Sequence, residues 1–135
     1  MKTMHILSNS HLDREHRHEF QETRLMMVEM LDDVIRIMEA DDSYRYFTLD
    51  GQAIVLDDYL EMRPHMRPRL QALIRAGRIQ IGPWYSLVDC YAVNPESIIR
   101  NLVVGRRVCR EFGEPMPVGY SIFSFGQMAQ LPQVY

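Results

Sequence analysis

The sequence predicts an α/β fold in which about four parallel strands alternate with helices, arranged as a parallel sheet or as a β/α barrel. Short apolar or aromatic runs alternate with longer segments of helical periodicity along the chain. This alternation is typical of parallel strands joined by right-handed crossovers. The length of 135 residues, with 47% apolar and 24% charged residues, is that of one ordinary globular domain.

The first predicted strand is the apolar run MHILSN at residues 4–9, which a charged loop follows. A long helix is predicted next, because apolar residues recur every three or four positions up to the sequence ADDS at residues 40–43. Its predicted buried face consists of Leu25, Met27, Met30, Leu31, Val34, Ile35 and Met38. The sequence YRYFTLD, residues 44–50, predicts a second strand because it is rich in aromatic and β-branched residues.

Two shorter helices are predicted after the second strand. Pro64 and Pro68 place the boundary between them, since proline interrupts helical hydrogen bonding. Gly77 follows the second of these helices, in the position where glycine commonly ends a helix. The sequence RIQIGPWY, residues 78–85, then predicts a third strand.

The last predicted helix begins with Asn94 as its cap and Pro95 as its first residue. It is expected to end at Gly113, and its helical spacing connects Ile98, Ile99, Leu102, Val103, Arg106 and Cys109. The sequence VGYSIFS, residues 118–124, predicts a fourth strand.

Charge and cysteine usage limit the classes of function. The net charge is −3, and the nearest thing to a basic stripe is the short sequence RPHMRPR at residues 63–69, so nucleic acid is disfavoured as a partner. No apolar run is long enough for a signal peptide or a membrane span, so we expect no membrane partner. Cys90 and Cys109 form no CxxC pair, which favours two buried thiols in a reducing, cytoplasmic compartment.

Polar residues follow three of the predicted strands. Catalytic and binding residues of parallel β/α proteins lie mostly at the carboxyl ends of the strands. His11 and Asp13 follow the first predicted strand, Asp50 ends the second, and Asp89 follows the third. Residues i and i+2 of an extended segment face the same side, so His11 and Asp13 can reach one cation such as zinc. The same residues could instead serve loop hydrogen bonds and helix capping. Asp50 is equally explained as a turn residue or a cap, and Asp89 as a substrate contact or a solvated loop residue.

Five sequence blocks, taken in order, resemble one known family. They are HLDREH, LDGQAIVLDDYLEMRP, GRIQIGPWY, ESIIRNLVVGRRVCREFG and VGY…SFGQ…QLPQ. Together they resemble the N-terminal part of glycoside hydrolase family 38, the zinc-dependent α-mannosidases, particularly their bacterial branch. The resemblance implies the first half of a β/α barrel of the glycoside hydrolase/deacetylase type and retaining hydrolysis of α-mannosides. It also implies a zinc cofactor with His11 and Asp13 as metal ligands.

The chain departs from the family pattern at residues that matter for chemistry. HLDREH replaces the usual HWDREW, so Leu12 and His16 stand where the family has tryptophans. The second of these tryptophans faces the sugar ring, which makes His16 an expected substrate contact. The family's GYLPDSFGH reads GYSIFSFGQ here, so Phe123 occupies the position of the nucleophile and Gln127 that of a frequent histidine. A retaining glycosidase needs two carboxylic side chains, and we therefore expect no catalytic residue in this chain.

These departures leave three interpretations of residues 1–135. The first is a partial domain, the front half of an α-mannosidase barrel, which is inactive alone and needs its C-terminal half or a homo-oligomer to cover the open sheet. The second is a non-catalytic carbohydrate-binding or partner-binding domain derived from the family, which the substitutions at positions 12, 16 and 123 favour. The third is an altered sequence that packs but has no activity.

Overall fold

The parallel α/β arrangement is confirmed, with a smaller sheet than expected. The structure, a computed structural model, describes residues 2–122 and 125–135. Strand β1 (Phe47–Thr48) pairs in parallel with strand β2 (Ile79–Gln80). Parallel bridges Asn9–Thr48 and Gln52–Trp84 extend this pairing. The segment around Asn9, β1 and β2 are therefore neighbours in the order in which they occur along the chain.

Besides this sheet, residues 2–122 and 125–135 form five α-helices. They are α1 (Phe20–Ala40), α2 (Ile54–Met62), α3 (Arg67–Arg75), α4 (Pro95–Arg110) and α5 (Leu131–Val134). Helix α1 ends where the sequence predicts, and it buries Met27, Leu31, Val34, Ile35 and Met38. The predicted face is wrong at Leu25, whose side chain is exposed, and it omits Val28, which is fully buried.

The predicted boundaries around the two short helices are confirmed. A 3₁₀ turn (Pro64–Met66) separates α2 from α3, and Pro68 lies in the first turn of α3. Gly77 has φ +72°, and the amides of Gly77 and Arg78 donate to the carbonyls of Ile74 and Leu73. A left-handed glycine with these two hydrogen bonds is a common helix ending, because it satisfies carbonyls that the helix leaves free.

Helix α4 begins as predicted. The Oδ1 atom of Asn94 accepts a hydrogen bond of 2.9 Å from the Ser97 amide. Ile98, Leu102 and Cys109 are buried, but Ile99 and Val103 are exposed, so the buried stripe is narrower than the predicted one.

The expectation of about four strands, and with it the half-barrel, is not confirmed. Residues 4–7 form no strand and Met4, Ile6 and Leu7 are exposed, because only residues 8–10 hydrogen-bond to Thr48 of β1. Residues 118–122 also form no strand, although the amide of nearby Met116 donates to the Ile81 carbonyl just after β2. Residues 123 and 124 of the predicted fourth strand lie outside the described residues.

The buried side chains form two clusters. The larger one lies between the small sheet and helices α1, α2 and α3 and includes Val108 and Cys109 of α4. The smaller one is built on Trp84, Ile98, Leu102 and Leu131. Both cysteines are free; Cys109 is buried as predicted, whereas Cys90 is only half-buried. Among the residues described, no helix is both long and apolar enough to cross a bilayer.

Candidate active site

His11 and Asp13 lie on one side of an extended segment beside β1. The amide of Ser10 donates to the Thr48 carbonyl at 3.1 Å, which fixes this segment on the sheet. Leu12, between the two polar residues, packs against the larger core cluster. The Nε2 atom of His11 consequently lies 3.7 Å from Oδ1 of Asp13. The structure therefore brings together the two residues that the sequence proposes as metal ligands.

Asp50 holds the other side of the His11 ring. Its side chain is 3% exposed, and its Oδ2 atom lies 2.8 Å from Nδ1 of His11. Gln52 Nε2 donates to the same oxygen at 3.3 Å, and the Tyr120 hydroxyl donates to Oδ1 at 2.9 Å. Asp50 is thus the centre of a hydrogen-bond network and does not cap α2, which begins with no side-chain cap.

Tyr120 ties a distant part of the chain to this network. Burial, and then the hydrogen bond to Asp50, raise the pKa of Tyr120 to about 12, so its hydroxyl keeps its proton at neutral pH. The Tyr120 carbonyl accepts hydrogen bonds from Trp84 Nε1 at 2.7 Å and from the Tyr135 hydroxyl at 2.8 Å. The Tyr120 ring also requires glycine at position 51, because a Cβ atom there would lie 2.4 Å from the ring.

Arg14 anchors the loop that follows Asp13. Its Nε and Nη2 atoms donate to the two carboxylate oxygens of Asp58 in α2 at 3.1 and 3.0 Å. Its guanidinium also lies over the Phe20 ring, 4.6 Å from the centroid, at the start of α1. The loop that carries both proposed metal ligands is therefore attached to two helices.

A cleft of about 550 Å³ opens beside these residues. His11, Asp13 and His16 line it together with apolar side chains that include Leu87 and Phe125. His16 therefore lies where a bound sugar could reach it. Asp89 is not among the lining residues; its Oδ1 atom accepts a 2.9 Å hydrogen bond from the Tyr91 amide in its own loop. Phe123 lies outside the described residues.

The donor chemistry of His11 and Asp13 fits a zinc ion. Zinc accepts both imidazole nitrogen and carboxylate oxygen, which are the donors that His11 and Asp13 would offer to it from neighbouring positions. Two ligands are fewer than the three that a catalytic zinc usually takes from protein. Within residues 2–122 and 125–135, no group of three or more His, Cys, Asp or Glu side chains forms a candidate metal site.

The structure brings His11, Asp13 and His16, which the sequence proposes as site residues, to one cleft, but the sequence does not predict the hydrogen-bond network behind them. From the sequence, Asp50 is either a turn residue or a cap; the structure places it in a turn and shows no cap on α2. Tyr120 is not among the site residues that the sequence predicts. The available signal was the position of Asp50, directly after a strand and at the same edge of the sheet as His11.

Comparisons with known proteins agree with this architecture. Residues 1–135 match the family model described as the N-terminal domain of glycosyl hydrolases family 38. A curated protein of Halalkalibacterium halodurans named "Putative mannosylglycerate hydrolase" is 38% identical over 98% of this chain, which spans 15% of that relative.

Two solved structures are also similar. An alpha-mannosidase from Enterococcus faecalis V583 is 38% identical with a TM-score of 0.90 over 94% of this chain. A family 38 protein from Enterococcus faecalis is 33% identical with a TM-score of 0.82 over 95% of it. This chain spans 14% of each of those chains. The match over the full 135 residues and the shared fold show that the chain belongs to glycosyl hydrolase family 38.

Proposed function

We propose that this chain supplies the first part of the metal- and sugar-binding site of a retaining glycosidase that acts on α-mannosides. The observation that carries the proposal is the 3.7 Å approach of His11 Nε2 to Asp13 Oδ1 at the edge of a cleft. This pair follows the first extended segment of a parallel sheet, where β/α enzymes concentrate their chemistry. Membership of family 38 supports α-mannosides as the substrate class.

In this proposal His11 and Asp13 would hold a zinc ion. Bound zinc acts as a Lewis acid that can grip and polarise sugar hydroxyls. His16 lines the cleft and would contact the sugar. Asp89 is the second proposed sugar contact, and it would have to exchange its hydrogen bond with the Tyr91 amide for one with the substrate.

The chain alone is not expected to hydrolyse a mannoside. Phe123 stands where the family resemblance places the nucleophile, and phenylalanine can neither attack an anomeric carbon nor bind a cation. The proposed architecture is the first half of a β/α barrel, which the consecutive parallel order of residues 8–10, β1 and β2 supports. The rest of the barrel would come from a C-terminal half or a second copy, in a cytoplasmic setting that suits two free thiols.

A second candidate function is a non-catalytic carbohydrate-binding domain. The apolar part of the cleft, which includes Leu87 and Phe125, favours it because apolar surface packs well against a sugar ring without doing chemistry. The sequence favours it too, because residue 123 is phenylalanine and not a carboxylic acid. In that case the cleft would bind sugar without a metal ion.

Calorimetry separates these two functions. Zinc, and then methyl α-mannoside, are titrated into the wild-type chain, His11→Ala and a control, His65→Ala, which alters an exposed histidine of the 3₁₀ turn. Mannosylglycerate serves as a second sugar because the Halalkalibacterium relative is named for it. We expect zinc binding that His11→Ala abolishes and His65→Ala preserves, and sugar binding that a chelator abolishes.

Three other results would contradict parts of this proposal. Sugar binding that persists with chelator would support the binding domain instead. The absence of both zinc and sugar binding would contradict both functions. The chain should leave an aryl α-mannoside intact, and measurable turnover would contradict the assignment of Phe123.

A further inference from the structure

We propose that Asp50 is a positioning residue that fixes the His11 ring in the tautomer with its proton on Nδ1. Nε2 then faces Asp13 with its lone pair free for a cation. The identity of that cation rests on the proposed function, whereas the tautomer follows from the contacts of His11 alone.

The hydrogen bond between Asp50 and His11 has only one arrangement for a neutral ring. Asp50 Oδ2 lies 2.8 Å from His11 Nδ1, and an ionised carboxylate only accepts hydrogen bonds. The opposite tautomer would place the lone pair of Nδ1 against the carboxylate. Nε2 lies 3.7 Å from Asp13 Oδ1, too far for a hydrogen bond, so Asp13 does not compete for the proton.

The Asp50 carboxylate is held in place by contacts that do not involve His11. Its side chain is 3% exposed, and a buried charge is tolerated only when hydrogen bonds compensate for the lost water. Tyr120 and Gln52 provide two such bonds, and the Tyr120 segment is itself fixed by Trp84 Nε1. The carboxylate is therefore aimed at His11 before any ligand arrives.

The backbone at this turn supports the same role. Asp50 has φ +43°, in the left-handed region that residues other than glycine seldom adopt. Such conformations persist when the surrounding structure determines them, and they are found disproportionately at functional sites. Zinc-binding histidines commonly donate a hydrogen bond to a carboxylate that does not bind the metal itself but fixes the orientation of the ring.

The tautomer can be observed directly. Nitrogen-15 NMR of the chain at about pH 9, where an ordinary imidazole is neutral, should show His11 protonated at Nδ1 and bare at Nε2. Asp50→Asn should lose this preference, because an amide can accept from or donate to the ring. The control is Asp32→Asn, which alters another carboxylate that accepts from a tyrosine hydroxyl, away from the cleft, and should leave His11 unchanged. A wild-type ring protonated at Nε2 would overturn the proposal.

Zinc affinity gives a second measurement. Asp50→Asn should weaken zinc binding about 10–100-fold, whereas Asp32→Asn should keep it even if thermal unfolding shows that both variants lose stability. Equal zinc affinity in Asp50→Asn and the wild type would overturn the positioning role. A wild type that binds no zinc but keeps the Nδ1 proton would refute the proposed metal function and leave the tautomer assignment standing. The wild-type spectrum decides the tautomer even if Asp50→Asn does not fold.

Discussion

At the scale of single residues, Asp58 holds the loop that carries the proposed metal ligands. Its carboxylate accepts two hydrogen bonds from Arg14 and lies 3.1 Å from Nε of Arg24, and its side chain is 9% exposed. Removing this carboxylate leaves Arg14 without its anion and removes one of the two acidic partners of Arg24, whose other partner is Glu61. Losing a largely buried acceptor in this way costs more than losing one member of an exposed pair does.

We therefore expect Asp58→Ala to lower the free energy of unfolding by about 2–3 kcal/mol. The control is Asp33→Ala, which breaks an exposed ion pair with Arg36 and should cost less than about 1 kcal/mol. Urea unfolding followed by the fluorescence of the single tryptophan, Trp84, measures both variants. Equal losses for the two variants would show that the Arg14 contacts do not stabilise the fold.

The same scale shows how far the site was predictable. His11 and Asp13 are two residues apart, so the alternation of an extended segment is enough to place them together. The role of Asp50 depends on His11 and Tyr120, which lie 39 and 70 residues away. No local sequence pattern predicts contacts between residues this far apart. These contacts form only when the sheet and the segment after α4 pack around the buried Asp50 carboxylate.

At the scale of elements, α4 and the loop after β2 form one unit. Asn101 accepts hydrogen bonds from the amides of Tyr85 and Ser86 and donates to the Ser86 carbonyl. Gly105, one turn later, contacts the same loop: a Cβ atom there would lie 2.3 Å from the backbone of Trp84 and Tyr85. Because these are backbone atoms, they cannot move aside for a Cβ atom as the end of a flexible side chain could.

Gly105→Ala should consequently destabilise the protein although alanine favours helices. The gain in helix propensity is about 1 kcal/mol, and the steric cost is about 3 kcal/mol, so we expect a net loss of about 2 kcal/mol. Trp84 fluorescence reports both the stability and the displaced loop. Arg107→Ala, on the exposed face of the same helix, should change stability by less than about 0.5 kcal/mol. A more stable Gly105→Ala variant would contradict the close approach.

Helices were easier to predict than strands for a physical reason. A helix is specified by spacings of three and four within one segment, together with local signals such as Asn94 and Gly77. A strand requires hydrogen bonds from a neighbouring segment, and the apolar run at residues 4–7 has none on its exposed side. The composition of residues 4–7 therefore predicts a strand, but the described chain provides no neighbouring segment whose backbone hydrogen-bonds to them.

At the scale of the whole molecule, buried neutral acids should limit stability at high pH. Burial raises the pKa of Cys109 in the larger core cluster from 9.0 to about 12. Burial and the hydrogen bond to Asp50 raise the pKa of Tyr120, which packs on the smaller cluster, from 10.0 to about 12. Tyr59 has a raised pKa for the same reasons, with Asp32 as its partner. Both clusters thus contain groups that keep their protons longer when folded than when unfolded.

The sign of the pH effect follows from this difference. Above pH 9 for Cys109 and pH 10 for Tyr120, the unfolded chain releases protons that the native state retains, so the free energy of unfolding falls as pH rises towards about 12. Urea midpoints measured across this range should decline, and Tyr120→Phe should decline less steeply because it removes one titrating group. Tyr46→Phe alters an exposed tyrosine and should follow the wild type. Identical slopes for the wild type and Tyr120→Phe would mean that the Asp50 network does not hold the Tyr120 proton, and the link between the site and the second cluster would fail with it.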